Sequence, residues 1–164
     1  MDIFSFKGRA NRLEFWLICF GLTVVLMLFS MFAGMILSAV LSGLSAETRG
    51  WAQLTFGLVV TLLFLWPILA VGVRRAHDRG ASGKWFVLFY VSSVVLNLWS
   101  AGMDMRGVPL ESAESTVVAL LGLVFFVFWL FFLVTLGFLP GRREPNAYGP
   151  PANAKIENYR APAG

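Results

Sequence analysis

The residues with the most chemical potential lie in one window, "VRRAHDRGASGKW" (Val73–Trp85). It holds Arg74, Arg75, His77, Asp78, Arg79, Ser82 and Lys84, and His77 is the only histidine in the chain. Ser82, His77 and Asp78 supply the hydroxyl, imidazole and carboxylate of a nucleophilic triad. Adjacent residues on a helix do not face each other, so His77 and Asp78 make a poor base and orienter, and no catalytic residue is assigned. An imidazole titrates near neutrality, which would suit a pH sensor; the simpler reading is a hydrogen-bonded interfacial histidine. The segment "GASGK" lacks the four residues between glycines that a Walker loop needs. It reads as a turn into a helix, with Ser82 as the N-cap.

The arginines allow two readings. If a helix continues past Val73, Arg74 and Asp78 are one turn apart and pair, worth about 0.2–0.5 kcal/mol. Arg75 and Arg79 are also one turn apart and repel, so their face wants an anion: Glu14, Glu144 or a lipid phosphate. Arginine grips carboxylate and phosphate with two prongs, and a basic residue near an anionic leaflet contributes about 1 kcal/mol. The structural reading comes first: these arginines set orientation and tie segments together. A specific anionic ligand is the alternative, held by Arg9, Arg12, Arg74, Arg75 and Arg79.

The elements that position this window are apolar. The chain has 164 residues, 58% hydrophobic and 13% charged, against about 25% charged in soluble domains. So small a domain cannot hide that much apolar surface from water. Sixteen phenylalanines and six tryptophans suit a lipid-facing surface. Backbone groups in lipid must be satisfied within the segment or in a closed barrel, and the apolar runs are continuous rather than alternating, so the spans are helices. The fold class is all-α: a four-helix membrane bundle over 1–149, with spans at about 15–45, 51–73, 85–102 and 116–139, and a flexible tail over 150–164. The first span is too long to stand upright in a hydrocarbon core about 30 Å thick. It also exceeds the apolar region of a signal peptide, about 7–15 residues. "ETRG" (Glu47–Gly50) reads as the tight loop between the first two helices.

Lys and Arg counts set the orientation. Eleven lie in the two terminal segments and the central window, and two, Arg49 and Arg106, lie in the other loops. Both termini and the window are therefore expected in the cytoplasm. Three polar segments, Phe6–Trp16, Arg74–Trp85 and Gly141–Pro151, then meet at one end of the bundle.

These segments carry a resemblance. Gly8, Arg9, Arg12, Glu14, Phe15 and Trp16 form the first motif. Pro67, Arg74, Arg75, His77, Asp78, Gly80, Ser82, Gly83 and Trp85 form the second, and Asn146, Tyr148 and Gly149 the third. Together they resemble the "domain of unknown function 805" family of small bacterial inner-membrane proteins. Ala76 stands where that family usually has Leu, and Lys84 separates the Ser-Gly pair from Trp85. The resemblance implies an inner-membrane location and supplies no activity.

The remaining signals are structural. Asn11 and Glu14 have capping-box spacing. Ile3, Phe4 and Phe6 suggest a segment resting on the membrane surface. Glu14, His77, Asp78, Asn146 and Tyr148 make up a structural polar cluster. Ser30, Gly34, Ser38 and Ser42 recur every fourth residue, a seam that lets helices approach; packing within one chain is the first reading, a homo-oligomer the second. Pro67 should kink the second helix. One Cys and one His cannot supply the usual metal ligand count, and no cofactor is implied. No charge lies deep in a span, which argues against a pump. The expected function is a non-enzymatic accessory or scaffold protein whose basic cap binds anionic lipid headgroups or a membrane-protein partner, and not nucleic acid. The alternatives are a small oligomeric transporter or channel, and a headgroup enzyme using His77 and Asp78.

Overall fold

A computed structural model describes residues 3–152. The helices are α1 (Arg12–Val40), α2 (Ala46–Asp78), α3 (Lys84–Met105) and α4 (Ala113–Phe132), and α4 runs on into a π-helical segment, Leu133–Phe138. All four are long and apolar enough to cross a membrane. The flexibility expected for the tail falls mostly on residues 153–164, outside the described ones.

Polar side chains fix where the helices begin. The Asn11 side chain accepts from the Glu14 N–H at 2.8 Å, as its spacing predicts. Ser45 and Ser112 cap α2 and α4 in the same way, accepting from the N–H groups of Thr48 and Ser115. The Ser45 cap corrects the first loop. "ETRG" is the opening turn of α2, and the turn between helices is Leu41–Ser45. Glu47 is favourable there because the N-terminus of a helix attracts negative charge. The α3 cap is also corrected: Gly83, not Ser82, precedes the helix, at φ 68°. A Cβ there would meet the Val73 backbone at 3.0 Å, so glycine satisfies both the left-handed conformation and the close approach.

The helices pack in sequence, α1 on α2, α2 on α3, α3 on α4. α1 meets the fourth helix only through the π segment, which also touches α2. The bundle is thus closed at one end. Its core gathers at that end, around Phe15, Ile18, Leu69, Val71, Phe86 and Leu136. At Gly72 a Cβ would lie 1.9 Å from the Phe86 ring, so this ring lies directly against the α2 backbone. α4 has no buried residue, as suits a helix whose surroundings are hydrocarbon.

Two expectations about packing are revised. Ile3 and Phe6 pack against the core, with Phe6 edge-on to Trp66 at 5.0 Å, and Phe4 is exposed. The small-residue seam does not pack within the chain. Ser30, Ser38 and Ser42 are exposed, and a Cβ on Gly34 would meet nothing within 4 Å. Ser42 lies beyond the end of α1.

Candidate functional site

The three polar motifs converge at the closed end, on Asp78. Arg9 reaches its Oδ1 through both Nε and Nη2 at 2.9 Å. Arg75 reaches Oδ2 through Nη1 at 2.5 Å. Arg9 is 8% exposed, Arg75 1% and Asp78 4%. Taking charges out of water costs several kcal/mol per ion, repaid only where the remaining donors are satisfied. Arg9 meets this with the carbonyls of Asp78 (3.2 Å), Glu144 (2.9 Å) and Arg142. Arg75 donates to Leu136 O at 2.7 Å and Leu139 O at 2.6 Å. Arg74 pairs instead with Glu14, Nη1 to Oε1 at 2.8 Å. The expected Arg74–Asp78 pair is therefore not made, because Glu14 from α1 and Arg9 from the N-terminal segment offer better-placed partners across the bundle.

The π segment explains where the arginines point. The last carbonyls of a helix have no intrahelical partner and carry its negative end. Here five consecutive carbonyls are all occupied. Thr135 O takes Arg79 Nη1 at 2.8 Å, and Leu136 and Leu139 take Arg75. Gly137 O takes the Trp16 indole N–H at 3.0 Å, and Phe138 O takes Arg12 Nη1 at 3.3 Å. The anion for Arg75 is thus Asp78 together with a helix C-terminus, while Arg79 gives that C-terminus one N–H and pairs with no carboxylate among the described residues.

The Asn146–Gly149 segment clasps the end of α2. Asn146 Nδ2 donates to His77 O at 2.9 Å, and its own Oδ1 accepts from the Tyr148 N–H at 2.9 Å. The Tyr148 ring stacks on His77, centroids 3.8 Å apart and 4° from parallel. His77 Nδ1 lies 3.1 Å from Gly8 O. The Asp78 oxygens are held by Arg9 and Arg75, so the carboxylate does not orient the imidazole. Arg142 N–H donates to Asp78 O at 2.8 Å, and Gly141 lies so close that a Cβ would fall 1.7 Å from Asp78 Oδ2.

Above this cluster lies a cleft of about 510 Å³, with Arg75 and Asp78 on its floor and Arg12, Arg142 and Arg143 on its walls. Arg12, Arg142 and Arg143 are exposed. Among the described residues neither Arg142 nor Arg143 has an acidic partner. In sequence, Arg142 and Arg143 count only among the eleven orienting charges; their place in the cleft follows from the clasp, which sequence spacing does not reveal.

The fold and site define a class: a four-helix protein with membrane-length apolar helices, tied at one end by a buried arginine cluster. The family model described as "Protein of unknown function (DUF805)" matches residues 3–150, and the chain belongs to that family. It is 37% identical over 94 residues to "Uncharacterized protein YiiR" of Escherichia coli (strain K12), covering 57% of this chain and 55% of that protein. It is 34% identical over 87 residues to "Inner membrane protein YhaI" of the same organism, covering 53% of this chain and 63% of that protein. The matches thus span less than two thirds of either relative. No solved structure matches the chain.

Proposed function

We propose that the protein is a non-enzymatic accessory or scaffold component of the bacterial inner membrane, with both termini in the cytoplasm, whose cap binds anionic lipid headgroups. The location draws on the relative named an inner membrane protein, and the orientation on the skewed Lys and Arg count. One observation carries the binding: the cleft sets Arg12, Arg142 and Arg143 around a buried cluster that already holds two arginines to one aspartate. Such a site attracts phosphate by charge and by two-pronged hydrogen bonding. Of the five arginines first assigned to an anion, Arg9, Arg74 and Arg75 serve the protein's own carboxylates and carbonyls, Arg79 donates to Thr135 O, and Arg12, which donates to Phe138 O, also lines the cleft.

The test is the phosphatidylglycerol retained per purified chain, counted by native mass spectrometry. Changing Arg12, Arg142 and Arg143 together to Gln should lower the count. An unchanged count rejects the headgroup site, and retention of a protein in place of lipid would assign the cap to a partner. Orientation is tested separately: with Cys19 replaced by Ser, cysteines at Ser82 and Ser112 should label from opposite sides of the membrane.

A second reading, a small transporter, draws on a crevice of about 560 Å³ lined by Gln53, Thr61, Tyr90, Ser93 and Asn97 among apolar residues. Neutral polar groups at such depth suit an uncharged solute. Solute flux into liposomes that survives Asn97→Leu would remove it.

A further inference from the structure

Arg79, one turn beyond Arg75, lines a second cavity that shares no residue with the Arg12 cleft. Its Nη1 is held by Thr135 O, and it lines a cavity of about 410 Å³ with Ser82, Trp85, Phe131 and Phe132. Trp85, Phe131 and Phe132 also line a second cavity, of about 370 Å³, which continues between α3 and α4 past Leu88 and Val124. The two cavities adjoin across these three side chains and are read here as the two ends of one groove. From Trp85 to Ser92 it follows α3 for about 10 Å along the helix axis. Its upper end carries a guanidinium and a hydroxyl, with Lys84 one residue away, and among the described residues no acidic one lines either cavity. Its lower part is walled by leucine, valine and phenylalanine. Trp85, 75% exposed, stands at the junction, where an amphipathic indole sits between headgroups and chains.

We infer that this groove holds one anionic phospholipid, its phosphate on Arg79 and Ser82 and one acyl chain between α3 and α4. Charge complementarity selects the anionic headgroup and the apolar wall selects a chain-bearing ligand, so a soluble anion satisfies only half of the site. The inference rests on the reading that the capped end faces an anionic leaflet, and it does not use the Arg12 cleft.

The experiment starts from the Arg12/Arg142/Arg143→Gln triple variant, in which the cleft is disabled. Purified in detergent, this protein should still bind added phosphatidylglycerol, read by native mass spectrometry, in preference to phosphatidylcholine. Adding Val124→Trp fills the groove at an exposed position and leaves the buried network intact. It should weaken phosphatidylglycerol binding by about tenfold, and so should Arg79→Gln, which removes one charge-assisted contact. Arg79→Lys should restore part of the preference over phosphatidylcholine. Binding unaffected by Val124→Trp would overturn the proposal, as would a protein that binds both lipids equally well before substitution. A dimer that Val124→Trp dissociates without changing lipid binding would assign the groove to a second copy, and so overturn it too. Loss of lipid only in the triple variant would sink this site while sparing the cleft.

Discussion

Arg9 and Asp78, which lie at opposite ends of the first helical hairpin in sequence, share a single carboxylate oxygen through two nitrogens at 2.9 Å. Arg75 takes the other oxygen. Asp78→Asn removes the one negative charge between two buried guanidinium groups. Breaking a buried pair from one side costs about 3–5 kcal/mol, so this variant should show a large fall in unfolding free energy in detergent titrations. A loss under about 1 kcal/mol, the scale of exposed pairs, would mean that the cluster is not the tie that holds the bundle end.

Gly141→Ala should act on the same cluster without altering any charge. Its new Cβ would fall within bonding distance of Asp78 Oδ2. The carboxylate is held from both sides, so it cannot yield without losing an arginine. The expected result is destabilisation of the same order as Asp78→Asn. Gly122→Ala, where a Cβ meets nothing within 4 Å, should be neutral in the same melting experiment.

Gly72→Ala tests the contact between the helix backbone and a core ring. Overpacking of this kind costs about 1–3 kcal/mol. Because the clash is with Phe86, the double variant Gly72→Ala/Phe86→Leu should recover part of that loss. Strict additivity of the two single changes would show that they do not meet.

Tyr148→Ala should loosen the clasp. The ring stack on His77 is worth about 0.5–1.5 kcal/mol, and proteolysis follows the population of the open form. Trypsin should therefore cut at Arg142–Arg143 about two- to tenfold faster than in the parent. Cutting at an unchanged rate would place the strength of the clasp in Arg9 and Asn146 instead.

Much of this fold was legible because charge punctuates long apolar runs. Four runs gave four helices, and the ordered motifs around Arg9, Arg75 and Asn146 do meet at one end. The errors have physical causes. Glu47 and Arg49 read as a loop in sequence, although the opening turn of a helix tolerates charge and Ser45 supplies the cap. Ser30, Gly34, Ser38 and Ser42 have the spacing of a seam, but spacing cannot say which way a face turns, and this one turns outward. The partners of Arg75, Arg79 and Trp16 were not legible at all. They are main-chain carbonyls of Thr135 to Leu139, and every residue type has one. Arg74 was matched with Asp78 by a local rule that a contact from Glu14, 60 positions away, overrides.

The five carbonyls at the end of the π segment follow α1, α2 and α3 in the chain, so a ribosome delivers them after the arginines that they satisfy. Until that segment arrives, Arg75 and Arg79 lack the carbonyls of Thr135, Leu136 and Leu139, and buried donors left without partners are costly. Chains ending before α4 should therefore be poor in yield and readily degraded in cells, whereas chains ending just after Pro151 should accumulate normally.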